Sequence, residues 1–223
     1  MLFKSLMVGA IAFISLQAFA ETGFEEYFYP DYNSGKFITN VVNDKDGNQT
    51  NLRPEQPTVP QLDRDQVLVG IGVRSGATTV TRVMLHYRSI ETYEDGQYKG
   101  LSEIRPKSFG EKKDHVLECS LLIPEDGAIV GLGFRIDGKD DFRFLEARYR
   151  SINQDGTLDG QIKYAYGVDY HDNRDCDDYG AKIEAIITPV GDKVITGVGL
   201  VNHDEDVDSL WIYRGDYSHI PVQ

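Results

Sequence analysis

The chain of 223 residues has only two cysteines, one tryptophan and five histidines. Cys119 and Cys176 lie far apart with few histidines near them, which makes a poor zinc site. No histidine stands in the HExxH spacing of a metalloprotease, and no GxSxG motif of a serine hydrolase is present. The sequence therefore predicts that the protein is not an enzyme, although its many carboxylates leave a polysaccharide hydrolase as an alternative.

Basic side chains are also scarce. The 23 Lys and Arg residues oppose 36 Asp and Glu residues, which gives a formal net charge of -13. A surface of this sign repels the phosphates of nucleic acids, so we exclude nucleic acid as a partner. The charge suits neutral ligands, cations or basic proteins.

Long apolar runs are missing except at the N-terminus. Residues 1–20 carry one charge at Lys4, then an apolar stretch, then Ala18-Phe19-Ala20. This is the pattern of a secretory signal peptide. No later segment reaches the ~18 apolar residues that a transmembrane helix needs. We therefore expect a mature chain from Glu21 that is secreted or periplasmic, with no transmembrane insertion.

In an exported protein, two cysteines predict one disulfide, here between Cys119 and Cys176. The alternative is a pair of free thiols in a reducing host.

One pattern occurs three times along the chain: a Gly-x-Gly pair, a variable polar patch, a hydrophobic run and a Tyr-Arg pair. The glycine pairs are Gly70/Gly72, Gly131/Gly133 and Gly197/Gly199, and the Tyr-Arg pairs are Tyr87-Arg88, Tyr149-Arg150 and Tyr213-Arg214. Such a fixed period is typical of a repeat architecture. We expect the three glycine strands to meet near an axis, and the Tyr-Arg pairs to be structural.

The local chemistry of each unit is that of β-strands. Val83, Leu85 and Tyr87 stand at alternate positions, as in a half-buried strand. The 117–123 and 183–188 segments precede Pro turns that we expect to join antiparallel strands. The apolar run 210–212 breaks the alternation, which predicts a bulge or register change. Residues 36–42 are a further strand candidate that could close the third unit. The aromatic stretch 27–32 would cap one end or present an aromatic surface.

These patterns predict an all-β fold: a β-prism of three four-stranded antiparallel Greek-key sheets with pseudo-threefold symmetry. We expect a signal peptide over 1–20, an N-terminal segment over 21–60 that contributes a closing strand, and a β-prism domain over 61–223. Its repeats would cover about 61–115, 116–180 and 181–217.

The Gly-x-Gly repeats resemble the β-prism fold of jacalin-related lectins and of vitelline membrane outer layer protein. They are also similar to the C-terminal module of some bacterial membrane-attack-complex/perforin proteins. The resemblance covers about residues 60–217 and implies a secreted binding module, often for carbohydrate. The Gly-x-x-x-Asp sugar loop of jacalin-type lectins has no counterpart near this C-terminus.

The loop between the glycine strand and the Tyr-Arg strand differs in each unit, and binding residues concentrate on such loops. The second loop supplies Asp137, Asp140 and Asp141 as candidate ligand-binding residues. In the third loop, Asp204, Asp206 and Asp208 have the alternate spacing of the first calcium ligands in a calcium loop, so we consider Ca²⁺ as a cofactor. The alternative is a solvated acidic turn.

A second acidic cluster surrounds Cys176. Its candidate ligand-binding residues are Tyr170, His171, Asp172, Asn173 and Asp175. A disulfide would pin this loop near Tyr164, Tyr166 and Tyr179, where carboxylates could accept hydrogen bonds from sugar hydroxyls and rings could stack on sugars. The alternative is that these tyrosines only pack between strands.

The leading hypothesis is a secreted, lectin-like module that recognises carbohydrate on a cell surface or matrix, with or without calcium. The main alternative is a non-enzymatic exported protein that binds another protein or serves as a structural or accessory factor.

Overall fold

The computed structural model describes residues 24–31, 36–42, 62–63, 65–75, 80–110, 117–137, 141–169, 185–203 and 206–217. The strands in these residues are β1 (Phe24–Asp31), β2 (Lys36–Val42), β3 (Gln66–Ser75), β4 (Val80–Thr92), β5 (Tyr98–Leu101), β6 (Arg105–Gly110), β7 (Leu117–Leu122), β8 (Gly127–Asp137), β9 (Asp141–Ser151), β10 (Lys163–Tyr166), β11 (Val168–Asp169), β12 (Ala185–Ile187), β13 (Lys193–His203) and β14 (Asp206–Asp216). This part of the chain contains no helix long and apolar enough to span a membrane.

The strands form three antiparallel sheets. Sheet I has the order β11-β7-β3-β4-β5, with β6 also paired to β4. Sheet II has the order β10-β9-β8-β12, and sheet III has the order β13-β14-β1-β2. The prediction of an all-β fold with antiparallel sheets is confirmed.

The core lies between the sheets, where the three Gly-x-Gly strands β3, β8 and β13 contact one another. Its buried side chains do not simply alternate along the strands, since residues 67–69 in β3 and 128–130 in β8 are buried in succession. They include Leu68, Ile71, Val83, Leu85, Leu121, Ile129, Leu132, Phe134, Ala147, Tyr149, Ile195, Val198, Leu210 and Ile212. In β4, Val83 and Leu85 belong to the core cluster, but Met84 between them is also buried, so the half-buried alternation predicted for this strand is not observed there.

Each Gly-x-Gly strand carries a register shift at the same place, directly before its first glycine. The shift falls between Leu68 and Gly70 in β3, between Ile129 and Gly131 in β8, and between Ile195 and Gly197 in β13. A bulge bends and twists its strand, which helps a sheet to turn its edge toward a neighbouring sheet.

Contrary to the prediction from the sequence, the turns at Pro124 and Pro189 do not join paired antiparallel strands. β7 and β8 flank Pro124, yet β7 pairs with β3 in sheet I while β8 pairs with β9 in sheet II. Likewise β12 and β13 flank Pro189 but lie in sheets II and III. The interpretation of these turns as links between paired strands is wrong, because each turn carries the chain from one sheet to the next.

The third Tyr-Arg pair is shifted by one position against the other two. Tyr87 and Tyr149 lie opposite Leu68 and Ile129, whereas Arg214 lies opposite Ile195. A buried arginine thus occupies the place of a tyrosine in sheet III. The repeat suggested that the three Tyr-Arg pairs are structurally equivalent, but the third pair differs from the other two.

The apolar run 210–212 contains no register shift, contrary to the prediction: its residues pair in order with Leu200, Gly199 and Val198, and the shifts of this strand pair fall on either side of the run. Leu210 and Ile212 belong to the core cluster, whereas Trp211, which alternates with them, is fully buried outside that cluster. Both faces of β14 are therefore buried, which removes the usual polar residues from one face.

The N-terminal strands extend sheet III. β1 pairs with β14, and β2 pairs with β1. The predicted strand over residues 36–42 is present as β2, but it reaches the third unit only through β1. The stretch Tyr27–Asp31 lies within β1, so its interpretation as an end cap is wrong.

Candidate functional site

The predicted binding residues of the second loop stand at a hairpin end. Asp137 closes β8, Asp141 opens β9, and their backbones pair across the two strands. Asp140 lies outside the described residues. The structure thus brings Asp137 and Asp141 together through their backbones.

The acidic cluster lies beyond the described part of the chain. This holds for Tyr170, His171, Asp172, Asn173, Asp175 and Cys176. The strand that leads into the cluster is described: β11 ends at Asp169, which pairs with Cys119 on β7. The disulfide between Cys119 and Cys176 stays a prediction.

The predicted calcium residues are only partly in a loop. Asp206 and Asp208 lie in β14, and His203 pairs with Asp206, so only residues 204–205 separate the two strands. The prediction that Asp204, Asp206 and Asp208 share one loop is therefore wrong for Asp206 and Asp208. Asp204 lies outside the described residues. The described residues contain no group of three His, Cys, Asp or Glu side chains that could hold a metal ion. A calcium site stays a prediction.

The described surface does carry one distinctive cluster, on strand β10 of sheet II. Tyr164 and Tyr166 are 50% and 65% exposed, while Ala165 between them is buried. Successive strand residues point to opposite faces, so both tyrosines lie on the outer face of the sheet. The alternative that these two tyrosines only pack between strands is wrong.

The neighbouring strand places an ion pair beside the tyrosines. Arg148 pairs in register with Tyr164, and Glu146 pairs with Tyr166. The Arg148 Nε donates a hydrogen bond of 2.9 Å to Glu146 Oε1. The Arg148 guanidinium also lies over the Tyr164 ring, 5.6 Å from its centroid, which is within the range of a cation–π interaction. We call Tyr164, Tyr166, Arg148 and Glu146 the tyrosine face.

Glu146 is held tightly in this arrangement. It is only 6% exposed, which is unusual for a carboxylate on the outer face of a sheet. A buried carboxylate needs a charged or hydrogen-bonding partner, and Arg148 provides it. Arg148 is thereby fixed against the Tyr164 ring.

On the neighbouring strand β8, the positions beside the tyrosine face are occupied by glycines. Gly131 and Gly133 of β8 pair with Arg148 and Glu146. A Cβ atom on Gly131 would lie 2.5 Å from the carbonyl oxygen of Ile187 and 3.3 Å from the Arg148 Cβ. The glycine therefore allows β12 to approach closely, and no side chain rises beside the ion pair.

Sheets I and III differ at the corresponding places. In sheet I, Pro106 and Ser108 take the positions that Tyr164 and Tyr166 hold in sheet II. In sheet III, the residue paired with Gly199 is the fully buried Trp211. Within the described residues, exposed tyrosines beside a paired arginine occur only in sheet II.

A second polar network fixes the base of β10. Lys163 Nζ donates to Glu125 Oε1 at 2.6 Å and to Ser151 Oγ at 2.8 Å, while the Tyr149 hydroxyl donates to the same carboxylate oxygen at 3.2 Å. The Lys163 and Ser151 hydrogen bonds hold the pKa of Glu125 below its usual value. The Glu125 carboxylate in turn raises the pKa of Lys163. The network ties β10 to the turn before β8.

Sequence reasoning noticed the tyrosines but missed Arg148 and Glu146. It placed binding on the acidic loops because it weighed charge density. The available signal was the order of the residues. In both Glu146-Ala147-Arg148 and Tyr164-Ala165-Tyr166, two large polar side chains flank a small residue. Two such stretches in adjacent strands place four large side chains on one face.

The chain matches no protein-family model, no curated protein and no solved structure.

Proposed function

We propose that the three sheets form a β-prism and that the chain is an exported module that binds carbohydrate through the tyrosine face. The proposed function has no catalytic step. The fold proposal and the binding proposal have separate support.

Two hydrogen bonds support the prism. The backbone N–H of Ile123 donates to the Val69 carbonyl at 2.9 Å, and that of Leu62 donates to the Thr196 carbonyl at 2.8 Å. Val69 and Thr196 are the residues at the register shifts of β3 and β13. The segment that leads into one glycine strand therefore reaches the glycine strand of the preceding unit, and the first unit reaches back to the third. These are two of the three links between successive units that a closed prism requires.

The observation that carries the binding proposal is the pair of exposed tyrosines over a flat, charge-balanced surface. Tyrosine offers a large apolar ring with a polar tip, so it gains from contact with a sugar's C–H face while its hydroxyl stays hydrated. Exposing two such rings on one strand leaves apolar area in water unless a partner covers it. The strong negative net charge favours a neutral partner over an anionic one.

The test is a glycan array and polysaccharide pull-down with the purified protein and two variants. Tyr164→Ala/Tyr166→Ala removes both rings of the tyrosine face. Tyr93→Ala is the matched control, because Tyr93 is 57% exposed but lies on the turn after β4. We expect the wild-type protein and the control to bind a glycan, and the double variant to lose at least about tenfold, or ~1.4 kcal/mol.

Binding that survives in the double variant would contradict this site, and absence of binding to any glycan would contradict the function. Repeating the array with EDTA and with calcium tests the Ca²⁺ prediction at the same time. Capture of a specific protein that sugars do not compete for would instead support the protein-binding alternative.

A further inference from the structure

We infer that the tyrosine face binds an extended stretch of a neutral polysaccharide chain lying along β10, rather than a single terminal sugar. This inference rests on the proposed function and names its ligand class. Three features of the tyrosine face support it: the line of the rings, the lack of walls among the described residues and the balance of charge.

The two rings are arranged in a line. Tyr164 and Tyr166 are two residues apart on one face of a strand, so their Cα atoms are separated by about 7 Å along the strand axis. Each ring offers a separate stacking position, and both are at least half exposed. A single sugar ring covers one of these positions, whereas consecutive sugars of a chain can cover both.

In the part of the chain that the structure describes, the surface beside the rings is open. A site for a terminal sugar is typically a concave pocket in which polar groups converge on the hydroxyls. Here the floor next to Glu146 and Arg148 consists of Gly131 and Gly133, and Ile186 on the far strand β12 is 41% exposed. A chain can cross such a surface with both of its ends free.

The local charges are already satisfied. Glu146 and Arg148 form an ion pair at 2.9 Å, so the tyrosine face has no net charge from these two residues. The whole chain carries a net charge of -13. The negative charge of the protein would repel a polyuronate or sulfated chain, and the tyrosine face has no free cation to offset that repulsion. A neutral chain would not be repelled.

The test is calorimetric titration of the purified protein with neutral oligosaccharides, from monosaccharide to hexasaccharide. The probes are β-1,4-linked glucose, β-1,4-linked N-acetylglucosamine and α-1,4-linked glucose, with oligogalacturonate as the anionic comparison. We expect affinity in one neutral series to rise at least about tenfold between the monosaccharide and the trisaccharide and then to level off. Tyr166→Ala should flatten that rise, and Tyr93→Ala should leave it unchanged.

Equal affinity for the monosaccharide and the hexasaccharide would overturn this inference while leaving carbohydrate binding intact. Tighter binding of oligogalacturonate than of every neutral series would also overturn it. Absence of binding at every length, in every series, would overturn the proposed function and this inference together.

Discussion

The Tyr217 hydroxyl donates a hydrogen bond of 2.9 Å to the carbonyl oxygen of Gly156. Tyr217 follows β14 of sheet III, and Gly156 lies in the turn after β9 of sheet II. Gly156 and its counterpart Gly96 share a φ of 82°, and each donates its N–H to the residue three positions earlier. Asp95-Gly96 and Asp155-Gly156 therefore form similar turns, and Tyr217 connects the second of these turns to sheet III.

This contact predicts sensitivity to alkaline pH. Burial, followed by the nearby charges of Tyr98 and Asp155, raises the pKa of Tyr217 above its ordinary 10.0. A raised pKa contributes stability that is present below pH 10 and is lost as the pH rises, because the unfolded phenol ionises first. Tyr217→Phe should lower stability by ~1 kcal/mol at neutral pH through the lost hydrogen bond. Its Tm should then fall less than that of the wild type between about pH 9 and about pH 11. Parallel Tm curves for the two proteins over this range would contradict the assignment.

The glycine floor of sheet II predicts a steric cost. In Gly131→Ala the new methyl group would meet the Ile187 carbonyl oxygen at 2.5 Å, which forces β12 away from β8. We expect a loss of ~1–3 kcal/mol in the free energy of unfolding, measured in urea. Gly160→Ala is the matched control, because no atom lies within 4 Å of its added Cβ. Equal effects at the two positions would show that backbone entropy, not the close approach, is responsible.

The network at Glu125 predicts a response to acid. Lys163 and Ser151 lower the pKa of Glu125 from its ordinary 4.5, so the carboxylate contributes stability above pH 4.5 that is lost as the pH falls through its lower folded value. Glu125→Gln should lower Tm at neutral pH, and the difference from wild type should shrink as the pH drops toward about 3. Glu103→Gln is the control for removing an exposed carboxylate. A difference in Tm that stays constant with pH would contradict the assignment.

The ion pair of the tyrosine face predicts a non-additive pair of mutations. Arg148→Met leaves the buried Glu146 carboxylate without this partner, so we expect a loss of ~3 kcal/mol or more. The double variant Glu146→Gln/Arg148→Met removes the uncompensated charge and should be more stable than the single variant. Chemical denaturation of the four proteins in this cycle measures the coupling. A double variant less stable than Arg148→Met would refute the dependence of Glu146 on Arg148.

The strands were largely predictable, and their partners were not. Residues 36–42 and 117–122 could be read as strands because their apolar pattern is local. The pairing of β7 with β3 could not, since the Pro turn at residues 124–127 has the same sequence signature whether it joins paired strands or links two sheets. The register of the strands could not be predicted either: Leu145 is an extra residue between Phe144 and Glu146, at a register shift between β8 and β9.

The tyrosine face could be predicted only in part, for a similar reason. Tyr164 and Tyr166 are close in the sequence and were recognised together. Arg148 and Glu146 come 16 and 20 residues before the tyrosines with which they pair, and they join them only through the pairing of β9 with β10. Sequence patterns report which residues share a strand face, but cross-strand neighbours depend on register, which is set by bulges and turns.

The most direct test of the central claim is backbone amide chemical-shift mapping of the isotope-labelled protein during titration with the neutral oligosaccharide that binds best. Binding at the tyrosine face predicts that the largest shifts fall at residues 146–148 and 163–166, with smaller shifts at 131–133. Shifts that centre on the hairpin ends at 137–141 and 203–206, with residues 163–166 unchanged, would contradict binding at the tyrosine face. They would place the site on the acidic loops instead.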